Sequence, residues 1–417
     1  MSKITKYPFA DLYDMSSGIS SKKEQAGHGA PFVSFGTVFN NYFLPEELPD
    51  LMDTSEKEQE IYSVKRGDIL ITRTSETIDE LAMSCVATKD YPHATYSGFT
   101  KRLRPKTEGI AYSKYMAFYL RGYLFRKAVT NNAFMTLRAS FNEDIFSFLD
   151  LYLPQYNQQI KIGDLLYKIE QKIQLNKKIN DNLQQQAEAI YNYWFTQFNF
   201  PNENKKPYCA SGGQMVWCEQ MKCNIPANWT IGNLYTIADF VNGIACQKHR
   251  PTQDEVALPV VKIKEMHDGI TNVTEFVSPN IPSKNIIYTG DILFSWSATL
   301  EVAFWYGAKA GLNQHIFKVV PKKGYSKEYV FQQLSAYVIK FIKMAEARKT
   351  TMGHITTDHL HQSIIALPPL NIVDEYTMIT KNIFKKATQC AIENQQLIEL
   401  RNWLLPMLMN GQATIDD

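Results

Sequence analysis

The sequence repeats itself over most of its length. Gly67-Asp68-Ile69-Leu70 returns as Gly290-Asp291-Ile292-Leu293, about 223 residues later. A repeat of this length indicates duplication of a whole domain, so we expect two similar domains that form a pseudo-twofold internal repeat. Further matches follow in the same order, at offsets of about 213 to 214 residues, as loop insertions in one copy would produce: Tyr112-Ser113-Lys114 with Tyr325-Ser326-Lys327, Thr136 with Thr350, Asp144 with Asp358, and Leu153-Pro154 with Leu367-Pro368.

Length and composition agree with two domains and exclude several protein classes. The chain has 417 residues, of which 45% are hydrophobic, so it is long enough to bury two cores. No apolar run approaches the roughly 18 residues of a membrane span, and the first residues are polar. The cysteines are too irregularly spaced for a disulfide framework. We therefore expect a cytoplasmic protein with no membrane partner.

Two long helices are predicted, one after each copy. From Gln158 to about Phe198 the chain has no proline, and apolar residues recur at spacings of four and three, as in a coiled-coil seam. The second helix follows Pro368-Pro369 and runs to about Met409, with Pro406 expected to kink or end it. The predicted seams are Ile162, Leu166, Ile169, Ile173, Leu183, Ala187, Ile190 and Trp194 in the first helix, and Tyr376, Ile379, Ile383, Ala387, Cys390, Leu397 and Leu404 in the second.

Asparagines interrupt both apolar seams, at Asn176, Asn180 and Asn394. A buried amide must meet another polar group, so these side chains are predicted to fix the register of the helices. A helix with a narrow seam cannot bury it alone, and we expect the two helices to pack against each other, antiparallel. The alternative is that each helix packs only on its own domain.

The parts outside these helices are predicted to be mixed α/β. Short alternating runs, typical of strands, cover Phe32 to Phe35, Asp68 to Thr72, Val260 to Ile263, Asp291 to Ser295 and Ile316 to Val320. Amphipathic helices are predicted over Tyr112 to Val129 and Tyr325 to Ala347. The expected class is α+β, with a first domain at 1–150, a helix at 151–200, a linker at 201–211, a second domain at 212–368 and a C-terminal helix at 369–412.

Motifs for catalysis are missing from the sequence. It has neither the Asn/Asp-Pro-Pro-aromatic loop and glycine-rich turn of an adenine methyltransferase nor a Gly-x-x-x-x-Gly-Lys-Ser/Thr phosphate loop. Cys218, Cys223, Cys246 and His249 lack the paired Cys-x-x-Cys spacing of a zinc site. We therefore predict a protein that is not an enzyme and that holds no metal or cofactor of its own.

Short motifs occur in a fixed order where each domain joins its helix and along the helices: Leu151 to Gln159 (LYLPQYNQQ), Ile169 to Ile173 (IEQKI), Leu183 to Phe195 (LQQQAEAIYNYWF), Met352 to Thr356 (MGHIT), Ala366 to Leu370 (ALPPL) and Leu404 to Gly411 (LLPMLMNG). In their order and spacing, these motifs resemble the specificity subunit of Type I restriction-modification systems, and the resemblance covers essentially the whole chain. Gln155 stands where that family often has a second proline in a Leu-Pro-Pro-Leu turn, which affects geometry rather than function.

The resemblance implies a DNA-reading function. Each domain would be a target-recognition domain that reads one half of a bipartite site in double-stranded DNA. The helices would set the spacer and dock two modification (methyltransferase) subunits, joined by two ATP-dependent restriction subunits. S-adenosylmethionine, ATP and magnesium would belong to those partners. The alternative is a non-catalytic coiled-coil adaptor that binds protein partners without reading specific DNA.

Base reading requires polar side chains that reach base edges, and phosphate binding requires cations and hydroxyls. Residues of these kinds occur after the Gly-Asp-Ile-Leu strands, after Gly18 and Gly243, and in short basic or amide-rich islands. The candidate DNA-binding residues are Lys22, Lys23, Arg73, Thr74, Ser75, Lys101, Arg102, Arg104, Gln247, Lys248, His249, Arg250, Ser295, Ser297, Asn313, Gln314, His315, Lys349 and His354.

Overall fold

A computed structural model describes residues 4–20, 22–75, 77, 80–132, 139–271, 273–347, 355 and 357–415. The chain divides into two compact units, Met1–Ile173 with Leu397–Asp417, and Gln174–Gln396. Each unit contains one copy of the repeat together with part of both long helices. Some residues for which the sequence made predictions lie outside the described ranges: Thr136, Lys349, Thr350, Met352 to His354 and Thr356.

The first unit contains a mixed α/β domain. Its strands are β1 (Thr5–Pro8), β2 (Tyr13–Ser17), β3 (Ala26–Val33), β4 (Asp50–Met52), β5 (Ile69–Thr72), β6 (Thr74–Ser75), β7 (Ser84–Val86), β8 (Thr95–Tyr96), β9 (Thr100–Pro105), β10 (Ala139–Ser140) and β11 (Asp150–Leu153). Its helices are α1 (Phe9–Leu12), α2 (Phe35–Asn40), α3 (Glu56–Ile61), α4 (Ser113–Tyr119), α5 (Tyr123–Asn132) and α6 (Glu143–Phe148), followed by α7 (Tyr156–Tyr191).

The second unit has the same kinds of elements. Its strands are β12 (Met215–Cys218), β13 (Cys223–Pro226), β14 (Thr230–Gly232), β15 (Ala238–Asn242), β16 (Leu258–Val261), β17 (Phe276–Val277), β18 (Ile286–Ile287), β19 (Ile292–Ser295), β20 (Glu301–Phe304), β21 (Ala310–Leu312), β22 (Ile316–Pro321) and β23 (Ile365–Leu367). Its helices are α8 (Leu234–Ile237), α9 (Ile263–Asp268), α10 (Lys327–Ala347) and α11 (Thr357–His361), followed by α12 (Leu370–Met409).

The strand orders confirm the internal repeat. The central sheet of the first domain has the order β2-β9-β5-β7, and that of the second has the matching order β15-β22-β19-β20. Strands β1 and β11 pair as β14 and β23 do, and the parallel pair β3–β8 corresponds to β16–β21. The prediction of two similar α/β domains within an α+β fold is therefore confirmed.

Each central strand is buried on both faces. In β5, Ile69 and Ile71 belong to one hydrophobic cluster, whereas Leu70 belongs to another. In β19, Phe294 and Leu293 divide between two clusters in the same way. Because side chains alternate along a strand, an apolar run is expected where both faces of a sheet are covered. The repeated Ile-Leu of the motif is thus explained by core packing.

The repeated Gly-Asp that precedes these strands forms a turn. Gly67 and Gly290 have φ of +88° and +85°, in the left-handed region that favours glycine. A carboxylate oxygen of Asp68 accepts the backbone N–H of Lys65 at 2.8 Å, and Asp291 accepts that of Tyr288 at 2.9 Å. The motif that reveals the repeat is therefore a structural turn into the central strand.

The two long helices contact each other within both units. In the first unit, Arg401 Nη1 of α12 lies 2.8 Å from Glu170 Oε2 of α7. In the second unit, Asn176 Nδ2 of α7 donates to Glu393 Oε2 of α12 at 2.8 Å. Residue numbers rise along α7 as they fall along α12, so the pairing is antiparallel, as predicted. The seam residues also join the domain cores, for example Leu166 in the first unit.

Some local predictions were wrong. Ile379 was placed in the seam, but it is 48% exposed, and Thr380 is fully buried in its place. The helix predicted from Tyr112 is interrupted between α4 and α5 at Arg121 and Gly122. The Arg121 guanidinium donates to the backbone carbonyls of Val38, Phe39, Asn41 and Ser84, which ties this bend to other segments of the domain. Pro406 lies inside the last turns of α12, which continues to Met409.

Membrane-spanning helices and clusters of metal-binding side chains are both absent from the described residues. No helix formed by them combines the length and the apolar character that crossing a membrane requires. Within the same ranges, no group of three or more His, Cys, Asp or Glu side chains is arranged to hold a metal ion.

Candidate nucleic-acid interface

Both domains bring the same three segments together in a loop cluster. The first loop cluster comprises Ser17 and Gly18 at the end of β2, Arg73 after β5, and 97–101, which leads from β8 into β9. The second loop cluster comprises Asn242 and Gly243 at the end of β15, Trp296 after β19, and 313–315 before β22. These segments are far apart in sequence, so only the sheet order places them side by side.

Equivalent backbone contacts hold the two clusters. Ile19 bridges to Ser97 in the first domain, and Ile244 bridges to Asn313 in the second, both in parallel orientation. The N–H of Arg73 donates to the Phe99 carbonyl at 2.8 Å. In the second cluster, the N–H of Trp296 donates to the His315 carbonyl at 3.3 Å. Arg73 therefore corresponds to Trp296, and Phe99 corresponds to His315.

A glycine makes each cluster possible. A Cβ on Gly18 would lie 2.2 Å from the Ser97 carbonyl oxygen, and one on Gly243 would lie 2.0 Å from that of Asn313. No side chain fits at these distances, and the clashing atom is backbone, which cannot rotate away. The matching glycines noted in the sequence are thus required by the close approach of two loops.

The first loop cluster is cationic and aromatic. The Arg73 side chain is exposed, and Phe99 beside it is 63% exposed although it is a large apolar residue. Lys101 Nζ donates to Ser17 Oγ at 2.9 Å and lies 4.0 Å from Glu143. Burial lowers the pKa of Lys101, the Glu143 carboxylate opposes that change, and the charge of Arg73 adds to it. Arg73 and Lys101 therefore repel each other and together favour an anionic ligand.

The second loop cluster is made of amides and rings that can both donate and accept hydrogen bonds. Trp296 Nε1 donates to Asn242 Oδ1 at 3.3 Å, and its ring lies 5.6 Å from that of His315. Gln314 Nε2 lies 3.3 Å from His315 Nε2. The Nδ1 atom of His315 is buried and finds no hydrogen-bond partner among the described residues. Side chains of this kind match the mixed donor and acceptor pattern of base edges.

The structure divides the sequence-predicted residues into three groups. Arg73, Lys101, Asn313, Gln314 and His315 belong to the loop clusters. Exposed residues that follow the two cluster glycines form the second group: Lys22, Lys23, Gln247, Lys248, His249 and Arg250. The third group contains the remaining described candidates, which form hydrogen bonds within their own domain or lie beside residues that do: Thr74, Ser75, Arg102, Arg104, Ser295 and Ser297.

Two arginines of the third group support the fold. Arg102 Nη1 donates to the Ser63 carbonyl at 2.6 Å, and its guanidinium lies over the Tyr96 ring at 5.5 Å. Arg104 makes two hydrogen bonds to the buried Asp68 carboxylate, at 2.8 and 2.6 Å, which raises the pKa of Arg104. We therefore leave both arginines out of the proposed DNA-facing surface.

The hydroxyls of the third group also act locally. Ser295 is fully buried, and its Oγ donates to the carbonyls of Ser297 and Thr299, at 3.2 and 2.7 Å. Ser297 is itself buried. Thr74 and Ser75 form β6, which pairs with β10. These residues shape the turns next to the clusters rather than the exposed surface.

The candidates predicted from the sequence did not include Phe99, Asn242 or Trp296. A phenylalanine is normally assigned to the core, and its exposure here follows from its position beside Gly98 in a loop held by backbone hydrogen bonds. The sequence does hold one signal for these residues, because Phe99 and His315 each come directly before the strand that pairs with the Gly-Asp-Ile-Leu strand. The signal could be recognised only once the strand register had shown that these two positions correspond.

The seam asparagines take different environments in the helices. Asn176 is fully buried, and its Oδ1 finds no donor among the described residues even though Nδ2 binds Glu393. The Oδ1 atom of Asn180 is also buried, and Asn394 is 8% exposed. A buried amide can select the register of two helices because it must meet a polar partner. That these asparagines select the register of α7 and α12 stays a prediction.

Comparison with known proteins gives one consistent family. The Type I restriction enzyme HindI specificity subunit of Haemophilus influenzae is 24% identical over 464 aligned positions, which cover 96% of this chain and 98% of that protein. The Type I restriction enzyme MjaIX specificity subunit of Methanocaldococcus jannaschii is 20% identical, with coverage of 95% and 89%. The crystal structure of the S subunit of a Type-I restriction-modification system from M. genitalium has a TM-score of 0.56 at 14% identity, covering 100% of this chain and 97% of that chain, and shows a common fold.

The family assignment rests on the sequence match itself. The sequence model described as "Type I restriction modification DNA specificity domain" matches residues 2–185 and 226–402, once over each copy of the repeat. Together these ranges cover most of the 417 residues. The chain therefore belongs to the family of Type I restriction-modification DNA specificity proteins, with two target-recognition domains.

Proposed function

We propose that each target-recognition domain reads one half of a bipartite site in double-stranded DNA through its loop cluster. One observation carries this proposal: the two loop clusters have equivalent backbone hydrogen bonds but different side chains. Arg73 and Phe99 occupy the positions that Trp296 and His315 occupy in the second domain. Two readers built alike but equipped differently would recognise different bases at equivalent places.

The side chains of the first loop cluster favour particular base contacts. A guanidinium can bind the O6 and N7 atoms of guanine through two hydrogen bonds in the major groove, and Arg73 is exposed for such a bond. Phe99 offers an apolar surface, which suits the methyl group of thymine. Lys101, whose amine is held by Ser17 Oγ, adds positive charge beside them and attracts phosphate.

The second loop cluster favours a different set. Gln314 can make paired hydrogen bonds to adenine N6 and N7. His315 can donate a hydrogen bond to a purine N7, which is an acceptor in the major groove. The exposed Lys248 and Arg250, which follow Gly243, would bind the phosphate backbone and so position the domain without reading sequence. Lys22 and Lys23 would have this role in the first domain.

The helices would connect these readers to the rest of a complex. We infer that α7 and α12 set the spacer between half-sites and dock two modification subunits, joined by two restriction subunits. The chain itself would be non-catalytic, and S-adenosylmethionine, ATP and magnesium would be bound by those partners. This inference is supported by the names of the HindI and MjaIX relatives, which are specificity subunits of Type I restriction enzymes.

Domain exchange followed by methylome sequencing tests the proposal. Residues 1–150 are replaced by the first domain of another family member, and the chimaera is produced with one cognate modification subunit. One half of the methylated motif should change while the other half stays the same. The reciprocal exchange of 212–368 is the matched control and should change only the other half. A motif that changes in both halves in either chimaera would refute two independent readers.

A reconstitution experiment tests the division of labour. The purified chain with S-adenosylmethionine should not methylate DNA, and addition of the modification subunit should produce adenine methylation at the bipartite site. Methyl transfer by the chain alone, in a preparation free of other methyltransferases, would contradict the non-catalytic assignment.

A further inference from the structure

Two cysteines face each other across a hairpin that lies almost entirely between the two ranges matched by the family model. In the β12–β13 hairpin, Cys218 is the direct cross-strand partner of Cys223. Both are free thiols. The family match ends at residue 185 and resumes at 226, so both cysteines lie between the matched ranges. The DNA-reading function gives these thiols no role.

The pairing geometry meets the requirements of a disulfide. Directly opposed residues of an antiparallel pair have Cα atoms about 4.5 to 5.5 Å apart, and their side chains project to the same face. A disulfide needs a Cα separation of about 4.4 to 6.8 Å. The strand register therefore places the two Cα atoms in the range of separations that a disulfide spans.

The surroundings of the pair give it access to small molecules. Cys218 is 8% exposed and belongs to the core of the second unit. Cys223 is more exposed and lines a cleft of about 1050 Å³, together with residues of α7, β20 and α10. A dissolved disulfide can thus reach Cys223 from the cleft, whereas Cys218 is placed to react only with its neighbour.

The turn between the two cysteines is held in place. Lys222 has φ of +55°, in the left-handed region, and its amine forms an ion pair with Glu219. Trp217 Nε1 also donates to Glu219, at 2.8 Å. Because the turn is braced from both sides, the register of the hairpin is fixed before any covalent bond forms.

We propose that Cys218 and Cys223 form a reversible dithiol–disulfide pair that reacts with low-molecular-weight disulfides such as glutathione disulfide. The Cys223 thiolate attacks one sulfur of glutathione disulfide, giving a mixed disulfide on Cys223 and releasing one glutathione thiolate. The Cys218 thiolate then attacks the Cys223 sulfur and expels the second glutathione thiolate. Two protein thiols are oxidised, one glutathione disulfide is reduced to two glutathione molecules, and the two cysteine protons pass to the departing thiolates.

The test uses the full chain with Cys209→Ser, which removes an exposed thiol outside the hairpin. The protein is incubated with glutathione disulfide, and unreacted thiols are then blocked. Measured before the blocking step, the intact mass should fall by two hydrogens, without a retained glutathione. Lys222 lies between the two cysteines, so trypsin should release them as two peptides joined by a disulfide, which separate on reduction. Fragmentation distinguishes Cys223 from Cys246, which lies in the same tryptic peptide.

The control variants separate a resolving pair from two unrelated thiols. Cys218→Ser in the same background should stop at a glutathione adduct on Cys223, because the resolving thiol is missing. The result that would overturn the proposal is a persistent glutathione adduct on Cys223 while Cys218 is present. The proposal would also be contradicted if Cys218 and Cys223 stayed reduced under conditions in which the exposed Cys209 of the unmutated chain takes up glutathione. Either outcome leaves the DNA-reading proposal untouched, since methylation is not part of the readout.

Discussion

Replacement of Arg73 by alanine is the sharpest test of the first loop cluster. The side chain is exposed, whereas the backbone is fixed by the N–H bond to Phe99 and by the Arg73 carbonyl, which accepts the N–H of Phe141 at 2.7 Å. An alanine keeps both bonds. Substitution of an exposed residue away from the core changes the free energy of unfolding by about 0.5 kcal/mol or less. Any larger change in DNA binding therefore comes from the lost guanidinium.

The expected loss can be stated as an affinity. An arginine bound to a guanine through two hydrogen bonds contributes about 1 to 3 kcal/mol of discrimination. At about 1.4 kcal/mol per tenfold change, Arg73→Ala should weaken binding to the cognate site by about 5- to 140-fold. The methylated motif should become degenerate at one position of the first half-site, and the second half-site should be unchanged.

A matched control is available at the other end of the same strand. Arg66 precedes β5 and is exposed, but it lies outside the loop cluster, so Arg66→Ala removes the same charge from the same domain. Both variants are assembled with the modification subunit and measured by fluorescence anisotropy and methylome sequencing at one fixed salt concentration. Equal, sequence-independent losses in the two variants would indicate phosphate attraction only. An unchanged affinity and motif for Arg73→Ala would remove this residue from the interface.

Three further predictions follow from the structure. Gly243→Ala should disrupt the second half-site, because its Cβ would lie 2.0 Å from the carbonyl oxygen of the facing loop, whereas Gly36→Ala, with no atom closer than 3.9 Å, should be tolerated; methylome sequencing and thermal unfolding compare them. Arg401→Leu should destabilise the first unit by about 1.5 to 3 kcal/mol, measured by hydrogen exchange, because it removes the charge-assisted hydrogen bond between the largely buried Arg401 and Glu170 side chains. Asn176→Leu should cost less than Arg401→Leu in the same assay but should impair assembly with the modification subunit, if the amide selects the helix register; normal assembly and specificity would show that it does not.

The fold was predictable because its signals are periodic or repeated. The seam of α7 at Ile162, Leu166 and Ile169 is buried as its spacing indicates, and the copies of Gly-Asp-Ile-Leu form equivalent turns and strands. The error at Ile379 has a simple cause. Where α12 packs on the second domain, Thr380 is buried and bonds through its hydroxyl to the Tyr376 carbonyl, so hydrophobicity alone selected the wrong neighbour.

The candidate site was only partly predictable because residue type does not reveal where a cation is used. Lys101, Arg102 and Arg104 look alike in the sequence, as one basic run. All three lie in strand β9, yet their partners differ: a serine hydroxyl, a backbone carbonyl and a buried carboxylate. These partners come from segments more than thirty residues away, which no local pattern specifies. Charge in the sequence therefore selected more candidate DNA contacts than the proposed surface contains.

The distribution of similarity between the two copies supports the assignment of roles. The parts that repeat in sequence, Gly67-Asp68 and Gly290-Asp291, form turns whose glycines need a left-handed backbone and whose carboxylates cap the chain. The parts that differ, such as Arg73 against Trp296, occupy equivalent positions on that shared frame. A position constrained by packing can keep its residue in both copies, whereas the proposed reading of two different half-sites requires different side chains at equivalent positions. Arg73 and Trp296 meet that requirement, because the same kind of backbone hydrogen bond holds each of them.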